Sequence, residues 1–202
     1  MRVNNFKSSS DLLNDIKNHE GEDITFREFL EGFGEGGFAL FLAIFALPVA
    51  LPLPALGIAS IIAIPLLFLS VQLVLGFNAP WVPNWIGRKK IRMETLKKAI
   101  DMVTPILKKI ERFLRPRISF LSTRTGEKLI GLFCVICSIS VALPFPFTNT
   151  LPSIGIVIMA IGLLERDGIV IISGMLAGIL GLIAIGSLYY FGAEALTSLI
   201  YK

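Results

Sequence analysis

The sequence predicts an all-α, polytopic membrane protein. Hydrophobic residues make up 54% of the 202 residues, and charged residues only 17%. Counted with glycine and without tyrosine, the apolar share is about 61%, against about 45–50% in soluble domains. A soluble chain of this length must cover its surface with polar side chains. Besides this composition, two further observations predict a membrane protein: the chain contains long apolar runs, and these runs contain a repeat. The apolar excess excludes a soluble globular enzyme and a disordered chain.

Residues 8–33 predict two short interfacial amphipathic helices. Thr25 and Glu28 have the spacing of a capping box, in which each side chain accepts a hydrogen bond from the backbone N–H of the other residue. The apolar residues that follow, beginning with Phe29, form a stripe on an otherwise polar helix, which is typical of segments in the membrane interface. We therefore expect this segment to lead the chain into the membrane.

Residues 34–76 and 126–168 predict two internal repeats at a fixed offset. Aligned without a gap they share 13 identities in 43 positions, including Gly-Glu and V-A-L-P-x-P in one register. Apolar composition alone would give scattered leucine and isoleucine matches rather than these two motifs. Each repeat is a pair of apolar helices broken at a Pro-x-Pro motif. The helix breakers are Pro52, Pro54, Pro144 and Pro146.

The paired breakers are typical of transporters, in which broken helices occupy corresponding positions in two halves. Proline removes a backbone donor and disfavours helix in the preceding residue, so each motif should end a helix in or near the membrane. The first apolar arm has about 14 residues, fewer than the roughly 20 that span a bilayer, and such an arm is often re-entrant. Two topologies stay open, namely parallel repeats if both arms cross and inverted repeats if one arm is re-entrant.

Residues 77–125 predict a basic amphipathic segment in the cytoplasm. Residues 87–128 carry 13 basic and 4 acidic side chains, whereas residues 1–37 carry 4 basic and 8 acidic ones. A short basic loop between apolar runs marks the cytoplasmic side of a membrane protein. Anionic lipid headgroups are therefore nearer partners than nucleic acid. The predicted contacts to headgroups or to a partner are Trp81, Trp85, Arg88, Lys89, Lys90, Arg115 and Arg117.

Within this segment, residues 92–117 predict a helix with one apolar stripe and a basic opposite face. Apolar residues from Met93 to Leu114 recur at alternating spacings of three and four. Three interpretations are open. The helix lies on the inner leaflet, packs against the membrane domain of its own chain, or forms a coiled-coil seam with a partner, which Pro105 disfavours.

Residues 169–192 predict a terminal transmembrane helix, because an apolar run of this length can cross a bilayer. Gly174 and Gly178 form a G-x-x-x-G pair that permits close approach of another helix. The whole chain is thus expected to be one membrane domain.

Few polar side chains lie near the apolar runs, and a charge at the bilayer centre costs roughly 2.5–3.5 kcal/mol, which makes such groups functional candidates. Glu35 and Glu127 fit a helix start, or an ion or proton site formed by the two repeats. Arg166 and Asp167 fit an ion pair at a tight turn. The candidates for a polar path or a structural motif are Glu35, Gln72, Glu127, Asn149, Glu165, Arg166 and Asp167.

The sequence predicts no enzyme, metal site or cofactor. It contains a single histidine, no nucleophile with a base, and no phosphate-binding glycine loop. Cys134 and Cys137 form a C-x-x-C inside an apolar run, where small buried helix residues are expected rather than a redox pair.

Taken together, several motifs resemble the ExoD family of bacterial membrane proteins linked to exopolysaccharide synthesis. The resemblance covers roughly residues 10–190 and implies an inner-membrane protein that affects polysaccharide production or export. It supplies no catalytic residue. The motifs are Gly34–Phe38, Ala46–Pro48, Leu51–Pro54, Pro65 with Leu66, Gln72, Pro80–Pro83, Glu111 with Arg112, Arg115–Arg117, Pro144–Pro146, Asn149–Pro152 and Gly162–Gly168.

Three functional hypotheses follow. The first is a transporter- or channel-like, multi-pass protein of the inner membrane whose two Pro-broken repeats form a polar path, with a homodimer supplying further walls. The second is a non-catalytic scaffold that docks polysaccharide-synthesis machinery through the basic helix 92–117. A membrane enzyme acting on lipid-linked sugars is least favoured, since no acid–base set is present.

Overall fold

The computed structural model describes residues 13, 17, 23–33, 36–51, 58–114, 119–143 and 149–200, and this part of the chain is mostly helical. A short two-stranded antiparallel sheet, β1 with β2, is the exception to the predicted all-α fold. The elements in order are β1 Asp23–Thr25, α1 Phe26–Phe33, α2 Gly36–Ala50, α3 Ile58–Leu75, α4 Asn84–Gly87, β2 Lys90–Arg92, α5 Met93–Phe113, a 3-10 turn Ser119–Ser122, α6 Arg124–Ala142, α7 Thr150–Leu164 and α8 Gly168–Ile200.

The helices of the two predicted repeats pair crosswise. Helix α2 packs extensively on α7 and α3 on α6, while α2 with α3 and α6 with α7 make less contact. Both crosswise pairs are antiparallel, because Gly36 at the start of α2 lies beside Leu164 at the end of α7, and the Ser60 hydroxyl near the start of α3 donates to the Ala142 carbonyl at the end of α6 (3.0 Å). The centre is a closed apolar core that includes Phe38, Leu42, Leu66, Ile130, Ile156 and Met159.

These pairs give the bundle two distinct ends. At the basic end, where α2 and α6 begin and α3 and α7 finish, Gly37 lies against Pro80 and Gly76 against Lys128. At the distal end, Val49, Ala63 and Val141 pack together. Helices α2 and α3, and likewise α6 and α7, are therefore two hairpins that both open toward the basic end.

Two helix ends fall in the register of the sequence repeat. Helix α2 finishes at Ala50 and α6 at Ala142, an offset of 92. Helix α7 begins at Thr150, whereas the start of α3 adjoins residues 52–57, which lie outside the described part of the chain. Pro52, Pro54, Pro144 and Pro146 themselves lie outside the described residues.

A layer of shorter elements covers the basic end. The predicted capping box begins α1, because Glu28 accepts from the Thr25 backbone N–H (2.8 Å) and Thr25 Oγ1 accepts from that of Glu28 (3.2 Å). Asp23 pairs with Arg92 in the sheet, which ties this start to α5. Of the first predicted amphipathic helix only Leu13 and Lys17 are described.

The stripe of α5 is buried inside the protein. Met93, Leu96, Ile100 and Leu107 form a cluster with Leu13, Ile24 and Phe33, against which Leu40 and Leu164 of the bundle also pack. Of the three open interpretations, the structure therefore favours packing against the same chain. The outward face of α5 is mostly charged and also carries the exposed apolar side chains Met102 and Phe113.

Helices α7 and α8 approach closely through glycine, as the G-x-x-x-G pair predicts. A Cβ atom on Gly155 would lie 2.7 Å from the backbone nitrogen of Gly178, and one on Gly174 would lie 2.6 Å from that of Met159. Helix α8 extends to Ile200, beyond the predicted end near residue 192. Alanine, glutamate and leucine at residues 193–196 favour helix, so propensity continues it past the apolar run.

Two helices of the described chain are long and apolar enough to cross a membrane, within 124–142 and 168–191, or up to three if a bent helix pair counts as one span. Large apolar side chains are exposed on the outer faces of α3 and α6 at helical spacing. Monomeric soluble proteins rarely expose apolar surface of this extent. The two stripes are Ile61, Ile64, Phe68, Val71 and Leu75, and Leu129, Leu132, Ile136, Ile139 and Leu143.

Candidate functional site

Most of the predicted polar candidates lie at the basic end. Glu165 and Asp167 are buried in the turn between α7 and α8, and Arg166 between them is exposed with a φ of 54°. Asp167 Oδ1 accepts from the backbone N–H groups of Ile169 (3.0 Å) and Val170 (3.4 Å), so the carboxylate caps α8. A carboxylate at a helix N-terminus is favourable against the helix dipole. Asp167 therefore has a structural role in positioning α8.

The Gln72 side chain also forms hydrogen bonds with the backbone, at Trp81. Its side-chain oxygen accepts from the Trp81 N–H (2.6 Å) and its amide donates to the Trp81 carbonyl (3.2 Å), so one buried side chain satisfies both peptide groups. The clamp turns the segment after α3 back along the helix, where the Trp81 ring lies 6.1 Å from that of Phe68. Trp81 is thereby set beside the exposed apolar stripe of α3.

Glu127 lies in the first turn of α6, which Thr123 caps by accepting from the Gly126 N–H (3.4 Å). Next to this turn, Arg124 donates to the Gly76 carbonyl (2.8 Å) and to Asn78 Oδ1 (2.6 Å). Gly76 has a φ of 78°, which favours glycine. These bonds join the end of one predicted repeat to the start of the other.

A second group of polar side chains lies within α6 and α7 toward the distal end. Ser138, Ser140 and Ser153 are buried, and their hydroxyls have no hydrogen-bond partner among the described residues. A buried hydroxyl without a partner costs free energy, which makes these groups candidates to contact water or a solute. Asn149 lies half-buried at the start of α7, three residues before Pro152 and at the same end as these serines.

Cys134 and Cys137 are buried and unbonded in α6, as expected for small helix residues. In the described part of the chain, no three His, Cys, Asp or Glu side chains come together as a metal site.

A cavity of about 330 Å³ opens at the basic end between α1 and the segment after α3. Arg27 and Glu31 line it from one turn of α1, and Asn84 lines it from α4. Arg27 donates to Asn84 Oδ1 (2.7 Å) and passes over Gly87, where a side chain would come within 3.3 Å of the guanidinium nitrogen Nε. The other lining residues are apolar: Leu30, Phe77, Ala79, Pro80, Trp81 and Val82.

The predicted interface residues that are described are exposed at this same end. Trp81 is 52% and Trp85 is 70% exposed, and Arg88, Lys89 and Lys90 are exposed beside them. Glu35, Arg115 and Arg117 lie outside the described residues.

Sequence reasoning missed the serine group and the Arg27–Glu31 pair. The serines interrupt apolar runs, and that signal was available, but their small side chains are also common in ordinary membrane helices. Arg27 and Glu31 are four apart and so share a face of α1, but nothing in the sequence shows that the segment after α3 folds over that face.

The fold and these sites define a mostly helical, membrane-associated protein with an apolar bundle under a charged layer. Residues 9–187 match the family model described as "Exopolysaccharide synthesis, ExoD". The chain belongs to the ExoD family, as the sequence motifs predict, and membership implies involvement in exopolysaccharide synthesis.

Two relatives illustrate the family. The protein is 30% identical to Protein ExoD of Rhizobium meliloti over 173 residues, which is 83% of this chain and 72% of the relative. It is also 30% identical to an uncharacterized protein of Synechocystis sp. over 178 residues, covering 87% of this chain and 84% of the relative. No solved structure matches the chain.

Proposed function

We propose that the protein is a multi-pass inner-membrane protein that acts in exopolysaccharide synthesis or export as a transporter-like pair of repeats. The observation that carries the proposal is the crosswise pairing of two hairpins whose first helices, α2 and α6, end 92 residues apart. Such pairing relates the hairpins by an approximate two-fold axis along the bundle. Repeats related by an axis along the membrane normal, with substrate sites at their interface, are one established transporter architecture.

The exposed stripes of α3 and α6 support placement in a bilayer, and the basic end supports an orientation. Lys and Arg concentrate on the cytoplasmic side of membrane proteins. With the basic end in the cytoplasm, both hairpins enter from that side and the repeats are parallel. Helices α2 and α7 have 15 residues each, about 22 Å of helix, so the distal end reaches deep into the hydrocarbon layer or across it.

Solute contacts would come from the serine group. Ser138 and Ser153 lie on helices of the second repeat, whereas the corresponding positions of the first repeat are Ala46 and Ile61. Buried hydroxyls at these two positions therefore come from the second repeat alone, since Ala46 has no hydroxyl and Ile61 lies on the exposed stripe of α3. Because the core is closed in this state, passage of a solute requires the two hairpins to separate.

Flux through proteoliposomes tests this role. The purified chain is reconstituted with a pH-sensitive dye, or with a fluorescent oligosaccharide, trapped inside. We expect protein-dependent flux that falls in Ser138→Ala and Ser153→Ala and persists in Ser187→Ala, an exposed serine that donates to the Ala184 carbonyl. Absence of flux for both proton and oligosaccharide, together with normal polysaccharide output in cells carrying the two core variants, would refute the transport role.

A scaffold role is the second candidate, favoured by the outward charge of α5. Its apolar stripe is buried, so a partner meets the outward face, which carries the exposed Lys98, Lys108 and Lys109 together with the exposed Met102 and Phe113. Acidic surfaces of polysaccharide-synthesis machinery are the complementary partners. Reversing Lys108 and Lys109 to glutamate should abolish polysaccharide output without changing the melting temperature or flux. Normal output in that double variant would exclude docking through α5.

A further inference from the structure

We propose that the cavity at the basic end binds the headgroup of a phospholipid with a primary ammonium, as in phosphatidylethanolamine. Arg27 and Glu31 supply one positive and one negative charge to one wall of the cavity, four residues and about one helical turn apart. Phosphoethanolamine carries a phosphate and an ammonium two carbons apart. The cavity and the headgroup are therefore complementary in charge, with both net charges near zero.

Arg27 is prepared to bind the phosphate. Its bond to Asn84 Oδ1 and its passage over Gly87 fix the guanidinium while leaving further N–H donors available. Guanidinium groups bind phosphate in a bidentate manner, and these charge-assisted bonds are stronger than neutral ones. The exposed Lys89 and Lys90 nearby attract phosphate in general, but they do not line the cavity.

Glu31 supplies the selectivity. Among the described residues Glu31 forms no ion pair, so its carboxylate can accept from an incoming ammonium. A primary ammonium has three N–H donors, whereas the trimethylammonium of phosphatidylcholine has none. Glu31 also repels a headgroup that carries only negative charge, such as phosphatidylglycerol. A merely cationic surface would instead prefer the anionic lipid.

The acyl chains have a path beside the cavity. Trp81 lines the cavity and lies against Phe68, which belongs to the exposed stripe of α3. A volume of about 330 Å³ is at the lower end of the range of small-molecule sites, roughly 300–1,000 Å³. The cavity therefore accommodates a headgroup, and the chains follow α3. This inference requires the bundle to lie in a membrane but does not depend on transport.

Trp81 serves as the reporter, since the chain has only two tryptophans. The full-length Trp85→Phe protein in mild detergent is titrated with short-chain phosphatidylethanolamine, phosphatidylcholine and phosphatidylglycerol with identical acyl chains, and with soluble phosphoethanolamine. We expect phosphatidylethanolamine to bind about tenfold more tightly than the other two lipids, the size of one charge-assisted hydrogen bond. Soluble phosphoethanolamine should bind more weakly than the lipid, because it lacks the chains.

Variants separate the two charges. Arg27→Gln should weaken the binding of all three lipids, and Arg27→Lys should retain part of the affinity. Glu31→Gln should remove the preference for phosphatidylethanolamine over phosphatidylcholine. Arg112→Gln should leave the affinity for all three lipids unchanged. It removes the same charge at an exposed position outside the cavity. The proposal is overturned if the wild-type cavity prefers phosphatidylglycerol, if it does not distinguish the two zwitterionic lipids, or if soluble phosphoethanolamine binds as tightly as the lipid.

Discussion

Replacing Gly155 with alanine tests whether the contact between α7 and α8 holds the bundle together. The new Cβ would lie 2.7 Å from the backbone nitrogen of Gly178 and 2.9 Å from the carbonyl oxygen of Gly174, whereas ordinary contact begins near 3.4 Å. Backbone atoms of a packed helix cannot move alone, so the two helices must separate by about 0.7 Å. Overpacking of this kind typically costs about 1–3 kcal/mol.

Gly186→Ala is the matched control, because a Cβ there meets nothing within 4 Å. Both substitutions gain the same helix propensity, about 1 kcal/mol at most, so their difference isolates the steric cost. We expect Gly155→Ala to be about 1–3 kcal/mol less stable than Gly186→Ala, measured by loss of helical circular dichroism on titration with sodium dodecyl sulfate. Equal stability of the two variants would refute the close contact.

Three further predictions concern local structure. Gln72→Leu leaves two peptide groups of Trp81 without their partner, which should cost about 1–3 kcal/mol and shift the Trp81 emission of a Trp85→Phe protein; an unchanged spectrum would contradict the clamp. Asp167→Ala removes the cap of α8 and should lower stability by about 0.5–2 kcal/mol in the detergent titration, whereas Asp167→Asn should recover most of it. Thr25→Ala should accelerate hydrogen exchange in the first turn of α1, and Thr25→Ser should not; equal exchange in both would argue against the capping box.

The sequence alone was sufficient wherever a local rule fixes the structure. Helix α1 begins at its capping box because Thr25 and Glu28 can satisfy each other's backbone without any distant residue. The stripe from Met93 predicts α5 from spacing alone. Helix α8 was placed but made too short, because the prediction followed hydropathy and the helix itself follows propensity to Ile200. Family membership followed from motifs quoted directly from the sequence.

Contacts between distant segments determined the sites, and the sequence could not supply them. The spacing of apolar residues in α5 is compatible with a helix on a membrane surface, against a partner or against its own bundle. An apolar stripe indicates that one face is buried but not what covers it. From the sequence, Gln72 was a candidate for a polar path. In the structure the segment after α3 folds back, and the Gln72 amide instead forms hydrogen bonds with the backbone of Trp81. Likewise, Arg27 and Glu31 line a cavity only because the segment after α3 lies over α1.

By itself, the sequence determined that the chain is apolar, helical and of the ExoD family, because composition, periodicity and motifs are properties of residues close together in the chain. Only the tertiary structure decided that the helices pair crosswise and that both hairpins open toward the basic end. It also decided that the apolar stripe of α5 packs against the same chain. Apolar attraction is not directional, so any apolar helix can pack on any other. Close contacts such as that of Gly131 in α6 with the backbone of Val74 in α3 select one arrangement, because close packing distinguishes shapes that hydrophobicity does not.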